Sequence, residues 1–196
     1  MSMAQYLRYR RELFSPIHPV RPTIITMVGG PGSGKSSARK ECIQSLKYTE
    51  SDFVVIDPDE ILTSMFNNNY NCYSDDEKVL DVITMNNLNF THALKNGYNI
   101  VFDGTGRNID FTETNVIGRA KRIGYRTVVC ISMLDAHTAL ARVNQRGLAT
   151  DRNVDSDFVK STYDQLSVNI PKYLDIPKET VDILQVYDNT TDMVLV

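Results

Sequence analysis

Gly29-Gly30-Pro31-Gly32-Ser33-Gly34-Lys35-Ser36 fits the pattern G-x-x-x-x-G-K-[ST], and its flanks fit the role that the pattern implies. The apolar run Thr23–Val28 before it reads as a buried strand, and the segment from Ser37 onward reads as the start of a helix. A glycine-rich loop between a strand and a helix can curl so that backbone N–H groups face phosphate oxygens, with the positive helix end behind them. The expected cradle is Gly30, Pro31, Gly32, Ser33, Gly34, Lys35, Ser36 and Ser37. In it Lys35 reaches the β- and γ-phosphates and the Ser36 hydroxyl ligates Mg2+.

Outward from this loop, apolar runs alternate with helical patterns. Strands are expected at Ile24–Val28, Phe53–Ile56, Ile100–Phe102, Val128–Met133 and Ile183–Tyr187, and helical periodicity at Glu77–Leu94, Phe111–Ile123 and Thr138–Gln145. Such alternation implies parallel β-α units with both sheet faces covered. The fold class is therefore α/β: a three-layer P-loop fold with a mainly parallel five-stranded sheet flanked by helices and a small helical lid. Residues 1–22 read as an N-terminal helix and a proline-punctuated linker, residues 23–196 as the P-loop domain, and residues 137–160 as the lid. The tail around Asp188-Asn189-Thr190-Thr191-Asp192 reads as a closing hairpin.

Composition narrows the classes. A chain of 196 residues suits one domain, and a net charge of -3 supplies no global pull toward nucleic acid or membrane. Cys42, Cys72 and Cys130 are spaced neither for zinc nor for a disulfide framework, so all three read as packing residues in a reducing, cytoplasmic setting. No apolar run is long enough for a bilayer, and no signal-peptide pattern opens the chain. The basic, aromatic segment Tyr6–Leu13 reads as a solvated helix packed through Leu7 and Leu13, and His18, His92 and His137 read as structural or incidental.

In parallel sheets ligands sit beyond the carboxyl ends of the strands. The second strand ends in Asp57-Pro58-Asp59-Glu60 and the third in Asp103-Gly104-Thr105-Gly106-Arg107. Helix capping alone accounts for Asp57 and Glu60. It leaves over Asp59, a carboxylate placed to take a proton from an acceptor hydroxyl, with Asp57 as the other candidate base. Asp103 falls where a carboxylate holds Mg2+ directly or through water, and Thr105 and Arg107 add a hydroxyl and a fork of donors suited to a polar acceptor. A bland alternative is a glycine turn before a helix capped by Asp110 and Glu113. Farther on, Arg142 reads as a solvated basic residue. Arg146 and Arg152, the latter after a Gly147–Thr150 loop, read as catalytic lid arginines that meet charge on a moving phosphoryl group.

From about Thr23 to Asn189 these stretches together resemble the zeta-toxin family of P-loop kinases. The resemblance is carried by the P-loop, Val54–Asp59, Gly97–Arg107, Gly124-Tyr125, Arg146, Arg152-Asn153-Val154 and Val186–Asn189. It implies ATP and Mg2+ as cofactors and a nucleotide-sugar hydroxyl, as in UDP-N-acetylglucosamine, as acceptor. It also implies Asp59 as base, Asp103, Thr105 and Arg107 in the acceptor pocket, and Arg146 and Arg152 as phosphate clamps. The chain departs from the family pattern at Asp103, often Glu, and at Asn87, where the family tends to carry an acidic acceptor contact. The order of P-loop, Asp-x-Asp and Arg146-Gly147 also resembles the kinase domain of polynucleotide 5′-kinases, so a nucleic-acid or modified-nucleotide acceptor is the alternative. A regulatory nucleotide-binding module is a second alternative, although no guanine-specific Asn/Thr-Lys-x-Asp run is present. The expected partner is a small-molecule hydroxyl acceptor; no membrane partner is expected, and the sequence names no protein partner.

Overall fold

The computed structural model describes residues 3–16, 18–66, 76–150, 154–190 and 194–195. Helix α1 (Met3–Leu13) precedes β1 (Thr23–Val28), which runs through the P-loop into α2 (Lys35–Ser45). Strand β2 (Val54–Ile56) feeds α3 (Pro58–Phe66), followed by α4 (Asp76–Lys95) and β3 (Ile100–Asp103). A continuous helical stretch then comprises α5 (Ile109–Phe111), a π-helical segment (Thr112–Ile117) and α6 (Gly118–Arg122). Strand β4 (Arg126–Met133), α7 (Ala136–Thr150), α8 (Ser156–Leu174), β5 (Ile183–Asp188) and β6 (Val194–Leu195) complete the described elements.

The sheet order is β2-β3-β1-β4-β5-β6. The first five strands are parallel; β6 pairs antiparallel with β5, as the expected closing hairpin requires. Every residue of β1 is buried, because helices cover both faces of the central strand and exclude polar alternation. On one face α2 packs Ala38, Cys42 and Ile43 against Ile25, Met27 and Cys130. On the other, α8 brings Leu166 and Tyr173 onto Val28, Ile117 and Ile131.

Several local expectations are corrected by this packing. Helix α1 docks through Tyr6, Tyr9 and Leu13, while Leu7 is exposed, since the face meeting Ile61, Leu62 and Val82 is the tyrosine face. Gly147–Thr150 is the last turn of α7 rather than a loop; Gly147 is buried, and helical packing overrides the local turn signal. The helix after β3 is capped by Asn108, whose side chain accepts from the Phe111 N–H at 3.0 Å, rather than by Asp110. Cys42 and Cys130 are buried as expected, whereas Cys72 and Arg152 lie outside the described residues. His92 stacks edge-on against Phe14 and His18 lies against Tyr98, so both pack as aromatic rings.

Candidate active site

Strand register brings three chemical groups to one edge. Met27 stands beside Asp103, and Ile56 stands beside Phe102, so the chain leaves β1, β2 and β3 at one level, into the P-loop, Asp57 and the Gly104–Arg107 loop. The loops are stitched together: the Gly29 N–H donates to the Thr105 carbonyl at 3.0 Å.

The P-loop is held from behind. Ser132 Oγ and Asn189 Nδ2 both donate to the Ser33 carbonyl, at 2.9 and 2.8 Å, and Arg142 in turn donates to the Asn189 carbonyl at 3.1 Å. Arg142 is therefore tied to the loop's support rather than merely solvated. Gly32 and Gly34 adopt φ of 77° and 91°, a left-handed conformation that side-chain-bearing residues resist. Gly34 opens α2, where Ser37 and Ala38 N–H groups donate to its carbonyl. Lys35 Nζ folds back along the loop and donates to the carbonyls of Gly29 at 3.0 Å and Gly30 at 3.4 Å. Ser36, exposed, stands in the first turn of α2.

Opposite lie the carboxylates. Asp57 caps α3, its Oδ1 accepting the Asp59 N–H at 2.8 Å. Asp103 is nearly buried and pairs with Arg39 at 3.4 Å; Arg39 also approaches Glu50 at 3.6 Å. Burial, then the charges of Asp103 and Glu60, push the Asp57 carboxyl up to about 7 against the opposing pull of Lys35 and Arg39. Burial raises Glu60 as well, with Arg39 working against it and Asp103 adding to it. Burial is thus the main reason that both carboxyls resist ionisation, with the neighbouring carboxylates adding to it. Asp59, partly buried, sits in the first turn of α3, two residues beyond Asp57. Arg146, also partly buried, lies one turn from Arg142 on α7.

This crowding has a measurable consequence. Burial and neighbouring charge lift Asp57 from its ordinary 3.8 to about 7 in the folded protein, so between those values only the unfolded chain is ionised and stability falls as pH rises. Asn keeps a capping oxygen and removes the charge. Asp57→Asn is expected to raise the Tm of the nucleotide-free protein at pH 8 by about 3–8 °C, with a smaller gain at pH 4. Calorimetry at both pH values checks this, and an equal Tm at pH 8 would contradict the crowding.

The Gly104–Arg107 loop is fixed by close packing. Gly106 has φ 72°, and a Cβ there would come within 2.7 Å of Val28 Cγ1. Thr105 Oγ1 accepts weakly from the Arg107 N–H, and the Arg107 guanidinium lies 5.2 Å from the Phe158 ring centroid. A polar cavity of about 290 Å³ opens beside the loop, lined by Arg107, Asn108, Asp110, Gln165, Asn169 and Lys172 among others.

The sequence reading gives no place at these loops to Arg39, Phe158, Tyr163 or Asn169, and it marks Asn189 only through the resemblance. Arg39 was within reach, because it follows Lys35 by four residues and so shares its helix face. The others meet the loops only through tertiary contacts. Among the described residues no group of three or more His, Cys, Asp or Glu side chains could hold a metal alone, and no helix is long and apolar enough to cross a membrane.

A P-loop at the first strand end, with acidic strand ends in register beside it, defines a P-loop fold of the kinase type. The zeta-toxin family profile matches residues 8–195, and the chain belongs to that family. No curated protein matches the sequence significantly. Among solved structures, similarity extends to a protein of the PezAT chromosomal toxin-antitoxin system of Streptococcus pneumoniae, at 16% identity and TM-score 0.70, over 99% of this chain and 81% of that one. A chain of the Pnkp1/Rnl/Hen1 RNA repair complex matches at 19% identity and TM-score 0.61, over 81% of this chain and 48% of its own. A chain of the AvrRxo1-ORF1:-ORF2 complex with ATP matches at 14% identity and TM-score 0.63, over 98% of this chain and 62% of its own. The chain thus spans about half the length of the RNA-repair relative, and at these identities the likeness concerns the fold.

Proposed function

We propose that this protein is an ATP- and Mg2+-dependent kinase that transfers the γ-phosphate to a hydroxyl of a small nucleotide-sugar-like molecule. The observation that carries the reading is the charge imbalance beside the P-loop: Asp57, Asp103 and Glu60 crowd together with Lys35 and Arg39 as the cations that pull Asp57 down. Such a site is completed by a cation. The donor set fits Mg2+, which prefers hard oxygens and is held by one or two side chains together with phosphate oxygens and water. Ser36 and Asp103 would hold it, and it would neutralise charge on the bridging phosphates.

The residues divide the remaining work. The P-loop backbone and Lys35 receive the phosphates. Asp59 accepts the proton of the attacking hydroxyl as its oxygen bonds to phosphorus and the bond to the β-phosphate oxygen breaks. Arg146 and Arg152 offset the charge on the equatorial oxygens. Asp103, Thr105 and Arg107 line the acceptor side, and Arg39 holds the Asp103 carboxylate in place.

The test is transfer from labelled ATP to panels of nucleotide sugars, free sugars, nucleosides and 5′-hydroxyl oligonucleotides, with mass spectrometry of the product. A phosphorylated nucleotide sugar is expected. Exclusive labelling of oligonucleotides would select the 5′-kinase reading. Hydrolysis that no acceptor stimulates would select a regulatory nucleotide-binding module.

A further inference from the structure

One helix touches both loops of the site. Two turns into α8, Tyr163 donates its hydroxyl proton to the Pro31 carbonyl at 3.1 Å. Its ring lies so near Gly30 that a Cβ there would approach Cε2 to 2.5 Å. Two turns later Asn169 Nδ2 donates to the Arg107 carbonyl at 2.7 Å, and the Tyr173 hydroxyl donates to the Gly106 carbonyl at 2.9 Å. Phe158, at the first turn, stacks under the Arg107 guanidinium. Residues 163, 166, 169 and 173 recur at helical spacing, so they share a face. Leu166 anchors that face in the core with Val28 and Ile109. Because a helix barely stretches, the separation of the two loops is set by the rise between Tyr163 and Asn169.

We infer that α8 couples the nucleotide loop to the acceptor loop, with Tyr163 and Asn169 as positioning residues. A triphosphate seated on the P-loop restrains Gly30 and Pro31, Tyr163 passes that restraint into α8, and Asn169 passes it to the backbone of Arg107. The acceptor loop is thereby ordered when a phosphate donor is present, which discourages an acceptor from docking unproductively. The inference takes the identity of the two loops from the proposed function but does not depend on the acceptor or on transfer. A shorter route competes with it, the Gly29–Thr105 backbone bond, and the two routes respond differently to changes in α8.

The test is hydrogen–deuterium exchange of the full chain with and without the non-hydrolysable analogue adenylyl imidodiphosphate, its affinity followed by calorimetry. In the wild type, exchange over residues 104–108 is expected to slow at least about fivefold on binding, as ordering of a locally opening segment requires. In Tyr163→Phe and in Asn169→Ala that slowing is expected to fall below about twofold, with analogue affinity within about threefold of wild type. The double variant should add nothing further, since both lie on one route. Lys160→Ala, exposed on the same helix, serves as the control and should match the wild type. Analogue binding that slows residues 104–108 equally in all variants assigns the coupling to the Gly29–Thr105 bond and overturns the inference alone. Absence of analogue binding to the wild type overturns the proposed function along with it.

Discussion

Asp59→Asn is expected to cut single-turnover transfer from ATP by roughly 10²–10⁴-fold, the range typical of a lost general base, while ATP affinity stays within about threefold of wild type. The argument starts from the division of labour at the head of α3. Asp57 is engaged: its Oδ1 holds the Asp59 N–H, and its carboxyl sits among Asp103, Glu60, Lys35 and Arg39. Its work is to start the helix and shape the field. Asp59 lies one step farther into the helix, partly buried at the same sheet edge. The amide of Asn keeps its shape and much of its hydrogen bonding but cannot take a proton, so binding survives and the chemical step does not. The same assay on Asp57→Asn separates the two carboxylates. A smaller loss is expected there, because Asn still caps α3. Near-normal transfer by Asp59→Asn together with collapse in Asp57→Asn would exchange the roles, and a group titrating near about 7 would then be the base.

How far the sequence foretold this site depends on the range of the contacts involved. The central strands were legible because burial on both faces writes an unbroken apolar run, as in Thr23–Val28 and Ile100–Phe102. The P-loop and the acidic strand ends were legible because their chemistry is local: a loop, a cap and a turn each use neighbouring residues. The contacts of α8 with the two loops were not legible. Those with Pro31, Gly106 and Arg107 join residues 132, 67 and 62 positions apart, and no local pattern encodes such pairings. Arg142 is exposed, as a solvated basic residue is, but its partner, the backbone of Asn189 beyond β5, is equally remote in the chain. The π-helical segment after α5 left no trace in the periodicity. At α1 leucine spacing points to Leu7 and Leu13, but Leu13 packs together with Tyr6 and Tyr9, whose rings lie against α3 and α4, and Leu7 is exposed.

Lys35→Ala is expected to lower kcat/KM for ATP by about 10²–10³-fold, as loss of one preorganised charge donor to a transferring group does elsewhere. Lys35 already occupies the loop, its ammonium held by two P-loop carbonyls, so on the proposed function it would exchange those weak partners for charged oxygens of a triphosphate. Its removal acts a second time through Asp57. Lys35 is the larger of the two positive influences that oppose the rise in that carboxyl, so without it Asp57 takes up protons at still higher pH. The Asp57 carboxyl, followed by carboxyl NMR, should therefore titrate at higher pH in Lys35→Ala. Lys35→Arg should keep that titration near its wild-type position, because the charge is retained, and yet remain slow, because a planar fork does not replace a compact ammonium inside a tight loop. Rates and titrations of the two variants side by side separate charge from shape. Wild-type kinetics in Lys35→Ala would mean that Gly29–Ser36 is not where the phosphate donor binds.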